Sequence, residues 1–314
     1  FVINLFLMII LITGATGNVG KYLVNKLHAS NYELFFFTTS FNKLNFFKNK
    51  AKGYYWNPSK NIINLDLLCK IDYIIHLSGS TIAKPWTRSY KKEIYNSRIL
   101  TTNFLFNKIN SIKSKIRLKK IVSASAIGIY DHSLTELYNE NNKPIANNFI
   151  QDLVLKWEKS VDRFKEIDIS VCKLRIGLVL MKKSGILKPI ELLSKLNLGL
   201  VFGNGNQIQS WIHIEDLTSI IVFIIEKKLT GIYNCVAPNP LDQKTLTRQV
   251  LLSLTRKHYI FYMSKKITRF LMGEMSILVL DSQNVSSQKI EKNGFKFKHK
   301  MINSAIKSLY GNNK

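Results

Sequence analysis

Negative charge is scarce in this chain: 20 Asp and Glu stand against 46 Lys and Arg, for a formal charge of +26. That balance would suit a nucleic acid or an anionic membrane as partner. The lysines are scattered, however, through a sequence rich everywhere in Lys, Asn, Ile and Phe, and dispersed charge describes a solvated surface. No nucleic-acid partner is expected. Cysteine is rarer still. Cys69, Cys172 and Cys235 are odd in number, widely spaced and in no CxxC pair. This excludes a disulfide framework or a cysteine zinc site and fits a reducing compartment. The histidines show no HExxH or other ligand spacing, so no metal is expected. Long apolar runs are missing too. Residues 1–12 are apolar but too short to span a bilayer, and they lack the basic start and cleavage site of a signal peptide. Met8 stands just before the first strand, so residues 1–7 read as an upstream extension of the reading frame. A cytoplasmic location without membrane association is expected. There is no internal repeat and no long linker.

What the sequence does have is concentrated in residues 9–27, IILITGATGNVGKYLVNKL. Residues 9–12 are the aliphatic run of a strand buried on both faces. After Thr13 the apolar spacing becomes helical, with Val19, Leu23 and Leu27 on one face. A strand, a glycine-rich turn and a helix in that order form the first turn of a dinucleotide-binding βαβ unit. Gly14, Ala15, Thr16, Gly17, Asn18, Val19 and Gly20 are therefore the candidate cofactor contacts. Gly14 would turn the chain off the strand, Gly17 would admit a pyrophosphate, and Gly20 would let the helix approach the sheet. Helix-start amides and the helix dipole would face the phosphates.

Residues 33–38 (ELFFFT) read as the second strand. An acid at its end would hold the adenosine ribose, whereas a basic residue there accommodates the 2′-phosphate of NADP. The strand ends instead in Thr38-Thr39-Ser40, with Lys43 close behind, which favours NADP(H) and leaves NAD possible. DYIIHL at 72–77 opens into Ser78-Gly79-Ser80, and IVSASA at 121–126 again sets small residues at a strand end. Thr39, Leu77, Ser78, Gly79 and Ser123 join the candidate cofactor contacts. A long helix is expected within 86–110, another around Trp157 and Glu158, and strands at 54–56, 170–180, 210–214 and 232–235. Residues 199–205 read as a loop and 294–297 as a short strand. Asp216 is expected to cap a helix running to Glu226, with His213 a packing residue. Residues 246–256 and 265–272 read as helices. The whole reads as an α/β chain, a Rossmann-type doubly wound parallel sheet with a smaller C-terminal substrate lobe. Residues 1–180 would form the NAD(P)-binding domain, its sheet completed by 207–236. Residues 181–206 and 237–314 would form the substrate-binding lobe.

These segments resemble the extended short-chain dehydrogenase/reductase superfamily, and more closely its atypical, epimerase-family (YfcH-like) branch. The likeness rests on ITGATGNVG, IIHLSG, SASAIGIY, Thr135-Glu136, Trp157-Glu158 and LRIGLVL, then GNGNQIQSWIHIED, YNCVAPNP, Gly273–Met275, Ser282-Gln283 and GFKF, in that order. The resemblance implies nicotinamide chemistry, in which a tyrosine exchanges a proton, a lysine four residues later lowers its pKa, and a serine orients the substrate. Ser125 matches the serine. The Tyr-x-x-x-Lys pair should lie on the helix of Trp157, and it does not. Its spacing occurs only at Tyr22/Lys26, Tyr262/Lys266 and Tyr310/Lys314, all far from that helix. Tyr130 is the candidate substitute, so Ser125 and Tyr130 form the expected catalytic pair. Two functions stay open. One is an NADP(H)-dependent oxidoreductase or epimerase acting on a small polar or sugar-like substrate. The other is a non-catalytic NAD(P)-binding regulatory or interaction protein of the cell-division-inhibitor type.

Overall fold

The computed structural model describes residues 8–255 and 257–311. Seven parallel strands form the central sheet: β1 Ile9–Thr13, β2 Glu33–Thr38, β3 Lys52–Tyr55, β4 Tyr73–His76, β5 Lys120–Ala126, β6 Ser170–Ile176 and β7 Gly231–Cys235. Their order is β7-β6-β5-β4-β1-β2-β3, so the chain reverses direction across the sheet between β1 and β4. Ligands of open α/β sheets bind outside the strand ends at such a switch point. The register sets those ends level. Phe37, Thr13, His76, Ser123 and Lys173 follow one another across the sheet as direct neighbours. The residues just beyond them share one edge.

Alternation along the strands splits the core in two. Ile10 and Ile12 face the helices Asn18–His28 and Ile214–Glu226 through Leu23, Leu27, Ile221 and Ile224. Leu11 and Ile121 face the helices Thr101–Ser111 and Phe149–Asp162 through Leu105, Ile109, Trp157 and Val161. A third apolar cluster joins Leu180, Leu187 and Trp211 to Leu246, Val250, Ile306 and Leu309.

Several local expectations are corrected. Residues 199–205 are not all loop, because Leu198–Phe202 is a strand paired with Tyr259–Met263. Residues 294–297 form no strand; Phe295 and Phe297 instead pack edge to face at 4.9 Å. The helix Ile214–Glu226 is capped by His213, whose ring accepts from the Glu215 N–H at 3.2 Å. Asp216 lies inside the helix, where its carboxylate accepts the N–H groups of Lys298 and His299, both at 2.9 Å. The long helix of 86–110 is realised as Arg88–Tyr95 and Thr101–Ser111, joined by a π-helical turn at Asn96–Leu100. The reading of residues 1–7, the helix end at Arg256 and the spacing to Lys314 lie outside the described residues. Among the described residues no helix is long and apolar enough to cross a membrane.

Candidate functional site

A cleft of about 790 Å³ opens at the carboxyl ends of β1, β2 and β4. Gly14, Thr16 and Gly17 line it on one side, Thr39 and Lys43 at the β2 end, and Leu77, Ser78 and Gly79 at the β4 end. Gly14 has φ +71°, and a Cβ there would stand 2.7 Å from the backbone of Leu77. Only glycine fits both constraints. The helix after the turn starts at Asn18 with no side-chain cap and no acid in its first turn. Its first N–H groups therefore lack an intrahelical partner and can face an anion. These features fit a dinucleotide, whose pyrophosphate would lie against residues 14–18.

Of the remaining expected cofactor residues, Asn18 is exposed at the helix start, while Ala15, Val19, Gly20 and Ser123 sit behind this surface. Ala15 and Gly20 are buried, and a Cβ on Gly20 would come within 2.4 Å of the Ala15 carbonyl. Val19 packs onto the core, and the Asn18 carboxamide donates to the hydroxyl of Ser184. Ser123 is fully buried, its hydroxyl bonded to the Ala124 carbonyl at 3.0 Å. Below the cleft, His76 ties three elements together. The Thr102 hydroxyl donates to the Arg98 carbonyl at 2.6 Å, so His76 Nε2 carries the proton it gives to Thr102 at 3.0 Å. Nδ1 then accepts from Thr13 at 2.7 Å. Burial holds the ring neutral, with its pKa lowered to about 4.

Arg98, a half-buried cation beside the cleft, has no carboxylate partner among the described residues. Arg98 donates to the Ile94 carbonyl and to Ser97, and its guanidinium lies 5.3 Å from the Trp157 ring. A Cβ on Gly79 would be 3.0 Å from its Cζ. Burial lowers its pKa to about 10, which leaves it charged at neutral pH.

Ser125 and Tyr130 are brought together, but around a charge. The Ser125 hydroxyl donates to Glu158 Oε1 at 2.6 Å. Arg175 holds the same carboxylate through Nε at 2.9 Å and Nη2 at 3.1 Å, and donates through Nη1 to the Tyr130 oxygen at 2.9 Å. Tyr130 donates in turn to Asn234 Oδ1 at 2.8 Å. Burial raises the Tyr130 phenol above its ordinary pKa, and Arg175 pulls the other way without overturning that. Burial also pushes the Glu158 carboxyl up, but Arg175, Ser125 and Lys173 pull it further down, so the net shift is downward. Both expected catalytic hydroxyls are thus engaged within the protein. The sequence reading did not assign Glu158, Arg175 or Asn234, although a glutamate on the apolar face shared by Val154, Trp157 and Val161 was a signal for a buried partner.

Beyond the ends of β5 and β6 lies a second, smaller pocket of about 170 Å³, walled on its far side by residues 277–283. Elsewhere, His213, Glu215 and His299 bring three potential ligand atoms within 4.8 Å of one another. The Lys298 ammonium sits on Glu215 at 2.8 Å, and His213 spends Nδ1 on the helix cap. The cluster thereby works as a clamp between residues 213–216 and 298–299.

Residues 10–149 match the NAD dependent epimerase/dehydratase family, and residues 265–309 match a domain of unknown function, DUF1731. An epimerase family protein of Staphylococcus aureus (strain N315) is 33% identical over 301 residues, covering 95% of this chain and 98% of that protein. The fold is shared with the crystal structure of the human epimerase family protein SDR39U1 with NADPH (TM-score 0.81, 24% identity, 97% of this chain and 100% of that one). It is also shared with a nucleoside-diphosphate sugar epimerase from Corynebacterium glutamicum (TM-score 0.75, 26% identity, 97% of this chain and 58% of that one). A glycine turn at the switch point of a parallel sheet and a near full-length match to named relatives converge: this chain belongs to the epimerase family.

Proposed function

We propose that the chain is an NADP(H)-dependent oxidoreductase or epimerase acting on a small molecule held between the sheet edge and the C-terminal segment. The observation that carries this is the 790 Å³ cleft, built around a glycine no other residue could replace and bordered by Lys43 rather than an acid at the β2 end. NADPH bound to the human relative supports the choice of cofactor. Such a cofactor supplies a hydride at its nicotinamide, or accepts one there. Thr39, Ser40 and Lys43 would take the 2′-phosphate. Arg98 would bring to the cofactor the positive charge that the absent lysine provides elsewhere in the superfamily. Ser125 and Tyr130 act in this reading as positioning residues, locking the end of β5 to the helix Phe149–Asp162 and to β7 through Glu158, Arg175 and Asn234.

Lys43→Glu is the direct test. It should lower NADPH affinity about tenfold or more, some 1.4 kcal/mol, while changing NADH affinity far less. Fluorescence titration of both cofactors reads the ratio. Equal effects on the two would remove Lys43 from the 2′-phosphate site. A second reading, a non-catalytic NADP(H)-binding regulator, draws on the engaged hydroxyls of Ser125 and Tyr130. It expects cofactor binding with no turnover of any carbonyl or alcohol.

A further inference from the structure

The pocket beyond β5 and β6 has a chemistry unlike that of the nucleotide sugars its structural relatives handle. Six of its seventeen lining residues are isoleucines, among them Ile127, Ile150, Ile176 and Ile277. None is Lys, Arg or His. Its one carboxyl group is Asp281, which burial raises above its ordinary pKa. A diphosphate placed here would meet no counter-charge, and an ionised Asp281 would repel it.

Most of the polar groups in the wall are already spent. Ser210 donates to the Gln283 carbonyl at 2.8 Å and accepts from the Val285 N–H at 2.9 Å. Gln283 donates to the Tyr130 carbonyl at 3.1 Å, and Asn148 caps its helix by accepting from Gln151. Gln209 differs. It is 5% exposed, lines the pocket, and its carboxamide makes no hydrogen bond among the described residues. A pyranose would bury several hydroxyls against isoleucine and leave most of them unpaired, which is unfavourable. One polar atom can be satisfied; a ring of them cannot.

Volume agrees with this. A cavity of about 150 Å³ lined by aliphatic side chains accommodates a benzene ring, and this pocket is of that size at about 170 Å³. Resting on the proposed function above, the geometry points to a substrate that is a small, neutral, mainly apolar ketone or aldehyde, its single oxygen directed to Gln209. In the reductive direction, a bound NADPH would supply hydride to the carbonyl carbon while the C–O π pair takes a proton from water, which leaves as hydroxide to the buffer, giving the alcohol and NADP⁺. The sugar-like substrate expected from the sequence is not the one this wall favours.

The test is saturation-transfer NMR on the full chain with NADPH present, using cyclohexanone and benzaldehyde against UDP-glucose. Binding of NADPH itself is measured first, and its failure would sink the parent reading rather than this one. The expected result is saturation transfer to the small carbonyls and none to UDP-glucose. Ile277→Trp, which fills the pocket, should weaken carbonyl binding about tenfold or more with NADPH affinity unchanged. Binding of UDP-glucose, or binding of neither small carbonyl to NADPH-loaded protein, would overturn the inference.

Discussion

Glu158→Ala is expected to cost the fold about 3–5 kcal/mol, because it strands a guanidinium in the interior. Arg175 is only 2% exposed, and Glu158 supplies both of the carboxylate oxygens it bonds. The loss should appear as a fall in melting temperature on the order of 10 °C. Ser125→Ala removes one hydrogen bond to the same carboxylate and should cost only about 1–2 kcal/mol. The double replacement Glu158→Leu with Arg175→Met should recover much of the loss, since two apolar side chains leave no charge uncompensated. Urea denaturation of the four proteins separates these cases. A Glu158→Ala protein within about 1 kcal/mol of the parent would mean that water reaches Arg175 and that the network is not closed.

The second large effect concerns two glycines of one turn that should fail differently. Gly14→Ala combines a left-handed backbone, costing roughly 1–2 kcal/mol in an L-residue, with a Cβ 2.7 Å from the Leu77 backbone. Backbone cannot yield as a side chain does, so the ends of β1 and β4 must separate, and both stability and nucleotide binding should fall. Gly294→Ala is the matched control: φ is +96° with nothing within 4 Å, so it should show the backbone cost alone. Gly17→Ala meets only the Gly14 carbonyl at 3.1 Å, at an ordinary extended φ of −76°. It should fold almost normally yet bind NADPH about tenfold more weakly or worse, as its methyl group meets the pyrophosphate. Thermal melts and cofactor titration on all three tell strain from occlusion. A Gly17→Ala protein with full affinity would place the phosphates elsewhere.

Sequence reasoning worked where local pattern and long-range packing agree, and failed where they part. The buried runs of β1 and β2 and the helix Lys265–Met272 are legible because periodicity alone defines them. Gly199 suggests a loop, but it lies in a strand and is small because a Cβ would stand 2.3 Å from Leu251 Cδ1 on a packed helix. Glycine there marks a close approach, not a turn. The partner strand Tyr259–Met263 is some sixty residues downstream and leaves no trace near 199. Phe295 and Phe297 alternate like strand residues, yet their rings are satisfied by each other and by Phe223 rather than by a sheet. Asp216 has the residue type of a cap, but its carboxylate is claimed by Lys298 and His299 from the far end of the chain. At the site, the glycine turn could be read directly because its function is local. The Glu158–Arg175–Tyr130–Asn234 network could not, since its members come from four separated segments and only the fold brings them within hydrogen-bond reach.

The cofactor and substrate expectations hang on a nucleotide lying against residues 14–18. Isothermal titration calorimetry of the intact protein with NADPH, and in parallel with NADH, addresses that most directly. A one-to-one saturable isotherm, tighter for NADPH than for NADH and lost in Gly14→Ala, is the predicted result. A well-folded protein that gives no heat with either dinucleotide at millimolar concentration would contradict it.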